Sequence, residues 1–558
     1  MKKLYIKIIA LLLLASPLFA QTSPNATELK NMIARMIIIG FDDAVIDKNS
    51  SIVKDMQKYD LGGVILFDRF YSDRNKTKNI SSPEQLKSLT SALKRHAKKP
   101  LFISVDQEGG KVARLKYEYG FDKIPSAFAV SQMSLDKAKA IYETQSLMLE
   151  SAGINMNFAP VVDLALNPKN KVIVGLERSF GSEAKAVSAL ADVVIHAQNR
   201  HNIISVLKHF PGHGSSLGDS HEGFVDVSET WTKKELSPYE ELIREKKVDA
   251  IMSAHVFNKH LDAKYPATLS RKTNTELLRQ ELGFDGVIIS DDLQMGAIEQ
   301  HYSLKERVTL AINAGVDMLL FGNQLGNVSL GELVETIYGE VNAGNISLQT
   351  IKDANARIEN LLTKNAIIQK PIAFGEKRKA LTKAYIKSHY ALTPKDITIE
   401  PKMVVLHWTA VMDFEKSFAL LEPEVLRSFR ADIAAASALN VSAHFLVKRD
   451  GTIYQLMPDN WMARHVIGLN YSSIGVENIG GEGNTKEDLT QAQLESNIRL
   501  VKYLKAKYPT IEHVIGHHEY REYESSPLWL ERDNGYRTEK ADPGEKFMRD
   551  VRDALDWQ

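Results

Sequence analysis

From about residue 30 to 365, short apolar runs rich in β-branched residues alternate with longer stretches whose apolar positions recur at helical spacing. That alternation is the pattern of repeated strand-helix units around a parallel sheet. Eight such runs occur, at 36–41 (MIIIGF), 62–67 (GGVILF), 101–106 (LFISVD), 154–160 (INMNFAP), 204–210 (ISVLKHF), 249–255 (DAIMSAH), 286–291 (GVIISD) and 317–322 (DMLLFG). The intervening stretches, such as PEQLKSLTSALKRHA and AKAVSALADVVIHAQNRH, gather their apolar residues on one helical face. The pattern predicts an α/β chain that opens with a TIM-like (β/α)8 barrel over residues 27–370. Residues 371–400 are charged, contain prolines and keep no sustained period, and read as a linker with room for some helix. From Met403 the texture changes. Strand-like MVVLHWT, SAHFLVKRDGTIYQLM and SIGVENIG precede a helical QAQLESNIRLVKYLKAKYP and then HVIGHHEY, which predicts a smaller mixed α/β domain over 401–558.

The amino terminus stands apart. Lys2, Lys3 and Lys7 precede or open a short apolar run, followed by Pro17, Ala20 and polar QTSPN, so residues 1–20 read as a secretory signal peptide. The apolar run is far shorter than the ~20 residues a transmembrane helix needs. A periplasmic or secreted chain with no stable membrane anchor after cleavage is expected. The composition, 44% hydrophobic and 25% charged over 558 residues, is that of a globular protein. Seventy basic against seventy acidic residues leave no net charge to draw the chain to nucleic acid or an acidic membrane. With no cysteine, thiol nucleophiles, disulfides and thiolate metal sites are excluded, so any metal must be held by His and carboxylates.

Chemistry-capable residues fall at the carboxyl ends of the barrel runs: Asp106, Asp163, Lys208 with His209, His255 and Asp291. In an eight-stranded barrel that face carries the active site. After the fifth run comes KHFPGHG (208–214), then Asp219, Ser220 and His221. With DQEGGKVAR (106–114), ERSFG (177–181) and LLRQELGFDGVIISDDLQM (277–295), these words resemble the family 3 glycoside hydrolases, in particular the bacterial β-N-acetylglucosaminidases. Lys111 stands where that family usually has Arg. The resemblance implies that Asp291 is the nucleophile of a retaining exo-β-N-acetylglucosaminidase and that His221, held by Asp219, is its acid/base. An imidazole gives and takes protons near neutrality, and a carboxylate on its other nitrogen stabilises the imidazolium. Asp106, Arg114, Arg178, Lys208 and His209 would contact the sugar, and the barrel would need no cofactor. Neighbouring Asp292 competes with Asp291 for the nucleophile's role, and Arg178 could instead be a structural ion pair. His213, between two glycines, reads as loop architecture, and His255 as a supporting residue.

In the second domain His407, His517 and Asp542 come from separated segments, and two histidines with one carboxylate and a water form a hydrolytic zinc arrangement. His518 is the alternative to His517. LHWT, SAHFLVKRDGTIYQL, SIGVEN, GHHE and KADPG, in this order, resemble the zinc N-acetylmuramoyl-L-alanine amidases related to the peptidoglycan recognition proteins. The resemblance implies Zn2+ on His407, His517 and Asp542, with Glu477 as general base and Lys540 stabilising the oxyanion. His444 and His465 read as cleft-lining or supporting groups. Lys540 and Asp542 are two apart, so in an extended segment they share a face. Both bonds occur in one muropeptide, so the two resemblances together imply a bifunctional peptidoglycan hydrolase. Two other readings stand beside it: an exo-hexosaminidase with a non-catalytic wall-binding domain, and a muropeptide-binding sensor.

Overall fold

The computed structural model describes residues 24–218, 223–364, 367–427 and 431–555. The expected signal peptide at 1–20, and with it Asp219 and His221, lies outside the described residues.

The eight apolar runs form the strands of one parallel sheet: β1 (Ile37–Gly40), β2 (Gly63–Ile65), β3 (Phe102–Val105), β4 (Met156–Asn157), β5 (Ile204–Phe210), β6 (Ala250–Ser253), β7 (Val287–Ser290) and β8 (Leu319–Phe321). They lie in the order β8-β1-β2-β3-β4-β5-β6-β7. The two ends then meet, with the Ser290 N–H donating to the Met318 carbonyl at 2.9 Å and the Met318 N–H to the Ile288 carbonyl at 3.1 Å. The sheet is therefore a closed barrel. All seven residues of β5 are buried, as expected of strands covered on both faces. At the carboxyl end of β1 only glycine fits, because a Cβ at Gly40 would stand 1.9 Å from the Gly322 carbonyl oxygen.

The outer helices carry the start and stop chemistry their sequences suggest. Pro83–His96 opens with Ser82 accepting the Gln85 N–H and buries Leu86, Leu89 and Leu93 against the sheet. Leu304–Ala314 has a reciprocal Ser303–Glu306 cap and stops at Gly315, whose φ of 99° suits glycine. No helix among the described residues is long and apolar enough to cross a membrane.

The second sheet is mixed. Its strands are β9 (Ile367–Gln369), β10 (Met403–Trp408), β11 (Phe445–Val447), β12 (Ile453–Gln455), β13 (Ser473–Asn478) and β14 (His513–Gly516), in the order β9-β12-β11-β13-β10-β14. Only the β11–β12 pair is antiparallel. Period two divides β10 between two cores. Val404 and Leu406 pack with the helices Gln491–Lys507 and Glu545–Leu555, while Met403 and Val405 pack with Tyr385, Ile386 and Tyr390. His407 shares the parity of the second set.

Those last three aromatic and aliphatic residues belong to the segment expected to be a linker, and here the structure differs from the sequence reading. β9 is already hydrogen-bonded into the second sheet, and residues 376–390 form a 15-residue helix that closes one side of it. The physical reason lies in a buried cation. Arg378 is fully buried and donates to the carbonyls of Leu421, Glu422 and Pro423, so a residue that reads as solvated is a core strut.

Candidate functional site

At the carboxyl face of the barrel a cavity of about 560 Å³ is lined by Asp106, Arg114, Arg178, Lys208, His209 and Asp291, among others. Each is delivered by a strand end or by the loop after it. Lys208, on β5, places its Nζ 2.8 Å from Asp106 Oδ1 and 2.7 Å from Glu108 Oε1. Arg114 reaches the other oxygen of Asp106 at 3.4 Å. Arg178 clamps Glu108 through Nε at 2.8 Å and Nη2 at 2.7 Å, a bidentate pair, and its Nη1 points to the Val172 carbonyl. Arg178 lines the cavity while these donors meet protein atoms. Glu108 was not singled out in the sequence, although DQEGG carries it; two buried cations that both need a counter-charge are the signal for it.

His209 is fixed by the same network. Its Nε2 faces Arg178 Nη2 at 3.2 Å and its Nδ1 faces Asp163 Oδ2 at 2.6 Å. Since a guanidinium only donates, Nε2 must accept and Nδ1 carries the proton to Asp163, which fixes one neutral tautomer. Asp163 also accepts the His213 N–H at 2.8 Å, and His213 Nδ1 meets Ser216 Oγ at 2.7 Å. Burial pushes the His213 imidazole down to about 4, so it is neutral loop architecture as the sequence suggests. His255 is tied to Thr268 Oγ1 and to the Asp292 carbonyl oxygen, both at 2.9 Å, and supports the end of β7.

Asp291 and Asp292 are separated by what their carboxylates do. Asp292 Oδ1 accepts the N–H groups of Gln294 at 3.0 Å and Gly322 at 3.2 Å, which makes it a turn cap between β7 and β8. Asp291 follows β7 directly and its Oδ1 accepts the Asp292 N–H at 2.8 Å; both aspartates line the cavity. Burial alone would raise the Glu108 carboxyl, but Arg178 and Lys208 outweigh it and hold it at about 2. Against the same burial, Lys208 and Arg114 hold Asp106 below its ordinary value. The floor of this cavity is therefore ionised yet internally neutralised.

The second candidate site is built differently. His407 ends β10, His517 follows β14, and Asp542 comes from a loop; their ligand atoms all lie within 4.8 Å of one another. His407 Nδ1 is 2.9 Å from His517 Nδ1, and Asp542 Oδ2 is 3.0 Å from His517 Nδ1 and 3.3 Å from His407 Nδ1. His518 turns instead to the Asp542 carbonyl at 3.0 Å and stays out of the cluster. The far nitrogen of His407 is held by His465 Nδ1 at 3.0 Å, and His465 Nε2 rests on Ser473 Oγ at 3.1 Å. That relay leaves His407 Nδ1 as the inward atom. His465 packs flat on Gly475, where a Cβ would come within 2.6 Å of its ring. His444 accepts the Gly475 N–H at 2.9 Å and meets the Trp461 carbonyl at 2.7 Å, so both its nitrogens are committed to backbone.

Burial pushes the His407 imidazole down to about 4, so it presents a neutral nitrogen lone pair. Two imidazole nitrogens and a carboxylate oxygen converging on one point, with an oriented supporting histidine, fit a tetrahedral divalent cation that keeps a position open. Glu477 is paired directly opposite His407 in the β10–β13 register and so lies on the same face. It lines, with Lys540 and the three inward groups, a cavity of about 360 Å³.

Residues 28–361 match the glycosyl hydrolase family 3 N-terminal domain. The chain belongs to glycosyl hydrolase family 3. Residues 398–545 match a second family, N-acetylmuramoyl-L-alanine amidase. A β-hexosaminidase of Tolumonas auensis is 38% identical over 277 residues, 48% of this chain and 78% of that protein. One from Haemophilus influenzae is 37% identical over 276 residues, 47% of this chain and 73% of that protein. Among solved structures, a β-N-acetylhexosaminidase from Beutenbergia cavernae covers 60% of this chain and 98% of its own at 25% identity, with a TM-score of 0.54. A family 3 β-N-acetylglucosaminidase from Paenibacillus covers 88% of this chain and 84% of its own at 25% identity, with a TM-score of 0.55. This family 3 protein is accordingly an enzyme, a glycoside hydrolase that also carries an amidase domain.

Proposed function

We propose that this chain is a bifunctional peptidoglycan hydrolase. Its barrel removes β-linked N-acetylglucosamine from the non-reducing end of a muropeptide with retention of configuration, and its second domain cuts the amide between N-acetylmuramic acid and L-alanine. The observation that carries the reading is the pairing of two chemically distinct cavities on one chain. One holds a strand-end Asp beside a neutralised polar floor, and the other holds a cation-shaped His-His-Asp cluster beside Glu477 and Lys540.

In the barrel, Asp291 attacks the anomeric carbon while the leaving oxygen takes a proton from His221, paired with Asp219. Water then gives its proton back to His221 as it displaces Asp291. Asp106, Lys208 and Arg114 offer hydroxyl partners from a rigid network, with Glu108, Arg178, His209 and Asp163 as its second layer. In the second domain His407, His517 and Asp542 would hold zinc, which when bound supplies Lewis acidity and a more acidic water. Glu477 takes the proton of the attacking water and hands it to the departing amine. Lys540 faces the charge that develops on the carbonyl oxygen. The amino-terminal pattern supports export, so the enzyme would work on wall fragments in the periplasm or outside the cell.

The test is mass spectrometry of N-acetylglucosaminyl-N-acetylmuramoyl-peptide incubated with the full chain, with and without a zinc chelator. Release of both sugar and peptide, the first abolished by Asp291→Asn and the second by chelator or Glu477→Gln, is the expected result. Sugar alone would reduce the second domain to a wall-binding module. Peptide alone would make the barrel passive, and neither product would favour a sensor.

A further inference from the structure

The barrel cavity has a rim that differs from its floor. On the floor every cation meets a carboxylate: Lys208 meets Asp106 and Glu108, Arg178 meets Glu108, and Arg114 meets Asp106. The rim is supplied by the segment after β2 and by the DQEGG turn, and it presents Arg69, Tyr71, Arg74 and Lys111 to the same cavity. Tyr71, Arg74 and Lys111 are exposed and Arg69 half-buried. Of the carboxylates in the same segment, Asp68 is buried and already takes Lys116 at 2.6 Å as well as Arg69 Nε at 3.3 Å, and Asp73 accepts the Asn75 N–H at 3.0 Å. Lys111 donates to the Gly175 carbonyl at 3.2 Å, and Arg74 lies 5.9 Å from the Tyr71 ring centre. Among the described residues neither forms an ion pair with a carboxylate. The mouth thus carries an excess of positive charge in a chain whose overall net charge is zero.

An enzyme that removes a terminal sugar seats that sugar on the floor beside Asp291, so the leaving group must lie toward the mouth. We propose that Arg69, Arg74 and Lys111, flanking the ring of Tyr71, form a leaving-group subsite selective for a carboxylate-bearing aglycone. The guanidinium fork suits a carboxylate, and the tyrosine face suits the apolar side of a second sugar ring. A muropeptide offers such a carboxylate from two sources. One is the lactyl group of the muramic acid, which is ionised only after its amide has been cut; the other is the peptide stem. If the lactyl group is the anion read, an amide hydrolysis of the kind proposed for the second domain must come first, and sugar release follows it.

This inference rests on the glucosaminidase reading, so turnover and binding are measured separately. Release of N-acetylglucosamine from an aryl β-glycoside by the wild-type chain tests the reading itself. The subsite is tested by calorimetric titration of the full-length Asp291→Asn/Glu477→Gln chain, in which neither proposed reaction consumes a ligand, with three ligands: chitobiose, N-acetylglucosaminyl-N-acetylmuramic acid, and the same disaccharide amidated with L-alanyl-D-glutamate. The expected result is roughly tenfold tighter binding of at least one anionic ligand than of chitobiose, shrinking at high salt. In the Arg74→Gln/Lys111→Gln double variant that preference should fall to about twofold while chitobiose binding holds. Which anionic ligand gains identifies the carboxylate. Equal binding of all three ligands, a preference that survives the double variant, or a parallel loss for chitobiose would overturn the proposal.

Discussion

The two cavities solve opposite electrostatic problems. In the barrel, acids and bases alternate so closely that Asp106, Glu108, Lys208 and Arg178 neutralise one another with no added ion. In the second domain three acceptor atoms face each other across 2.9 to 3.3 Å, an arrangement that repels unless a cation or a shared proton lies between them. A self-neutralised site can be assembled by folding alone. A site made of converging lone pairs is finished only by a ligand, so its stability is linked to that ligand's concentration.

The sharpest way to break this comparison is to remove one chemistry and watch the other. Asp291→Asn should lower sugar release at least about 1,000-fold by removing the nucleophile, with amide hydrolysis unchanged in the same preparation. A coupled loss of both would contradict two independent sites. Next in size is Glu108→Gln, which takes the carboxylate from buried Arg178 and leaves buried Lys208 with Asp106 alone. Losing one partner of a buried pair costs about 3–5 kcal/mol, so the barrel's denaturant midpoint should drop while the second domain keeps its response to zinc. The sign of the pH effect follows from the same group. The Glu108 carboxyl is held at about 2, against an ordinary 4.5. Its contribution is complete above pH 4.5 and is lost as the pH falls toward 2. Acid titration of the wild type should show that loss, and Glu108→Gln should flatten it.

Two smaller effects sharpen the contrast. His465→Ala leaves the three inward groups in place but removes the partner of His407 Nε2, and should weaken zinc binding roughly 10- to 100-fold, measured by competition with a chromophoric chelator. Barrel activity should not change. The smallest effect concerns Glu235, buried beneath the loop after β5, where it accepts the Gly214 N–H at 3.0 Å. Burial raises its carboxyl to about 7, so the folded chain holds a proton there that the unfolded chain releases near 4.5. Stability contributed by that proton is full below pH 4.5 and declines as the pH rises toward 7. Glu235→Gln should remove a slope of about 1 kcal/mol per pH unit in that window, read from thermal unfolding between pH 5 and 7.

Much of this was legible along the chain, and the limits are instructive. The eight β-branched runs became eight strands because burial on both faces demands continuous apolar sequence, a one-dimensional signal. Asp106, Lys208, His209 and Asp291 at the ends of those runs reach one cavity because barrel topology puts every strand end on one face, whereas Asp163 and His255 stand behind it. The helix 376–390 lies in a stretch that reads as a linker with room for some helix, and its packing into the second domain is hidden because its charged residues mask the apolar positions and the burial of Arg378 depends on carbonyls more than forty residues away. Glu108 was passed over for a similar reason: its partners sit 70 and 100 residues further along the chain, and only their meeting gives it a role.

The sequence by itself determined the order of the two domains and the strand ends that carry acids and bases. Those features depend on residue type and local period. What each of two like neighbours is bonded to is visible only in the tertiary structure. Asp292 accepts the N–H groups of Gln294 and Gly322 while Asp291 accepts that of Asp292, and His518 turns to a backbone carbonyl beside His517. Adjacent residues of the same type are equivalent to any local rule. They differ only in what the fold sets against them, and a carboxylate, imidazole or guanidinium becomes a catalyst, a ligand or a strut according to which of its atoms are already bonded.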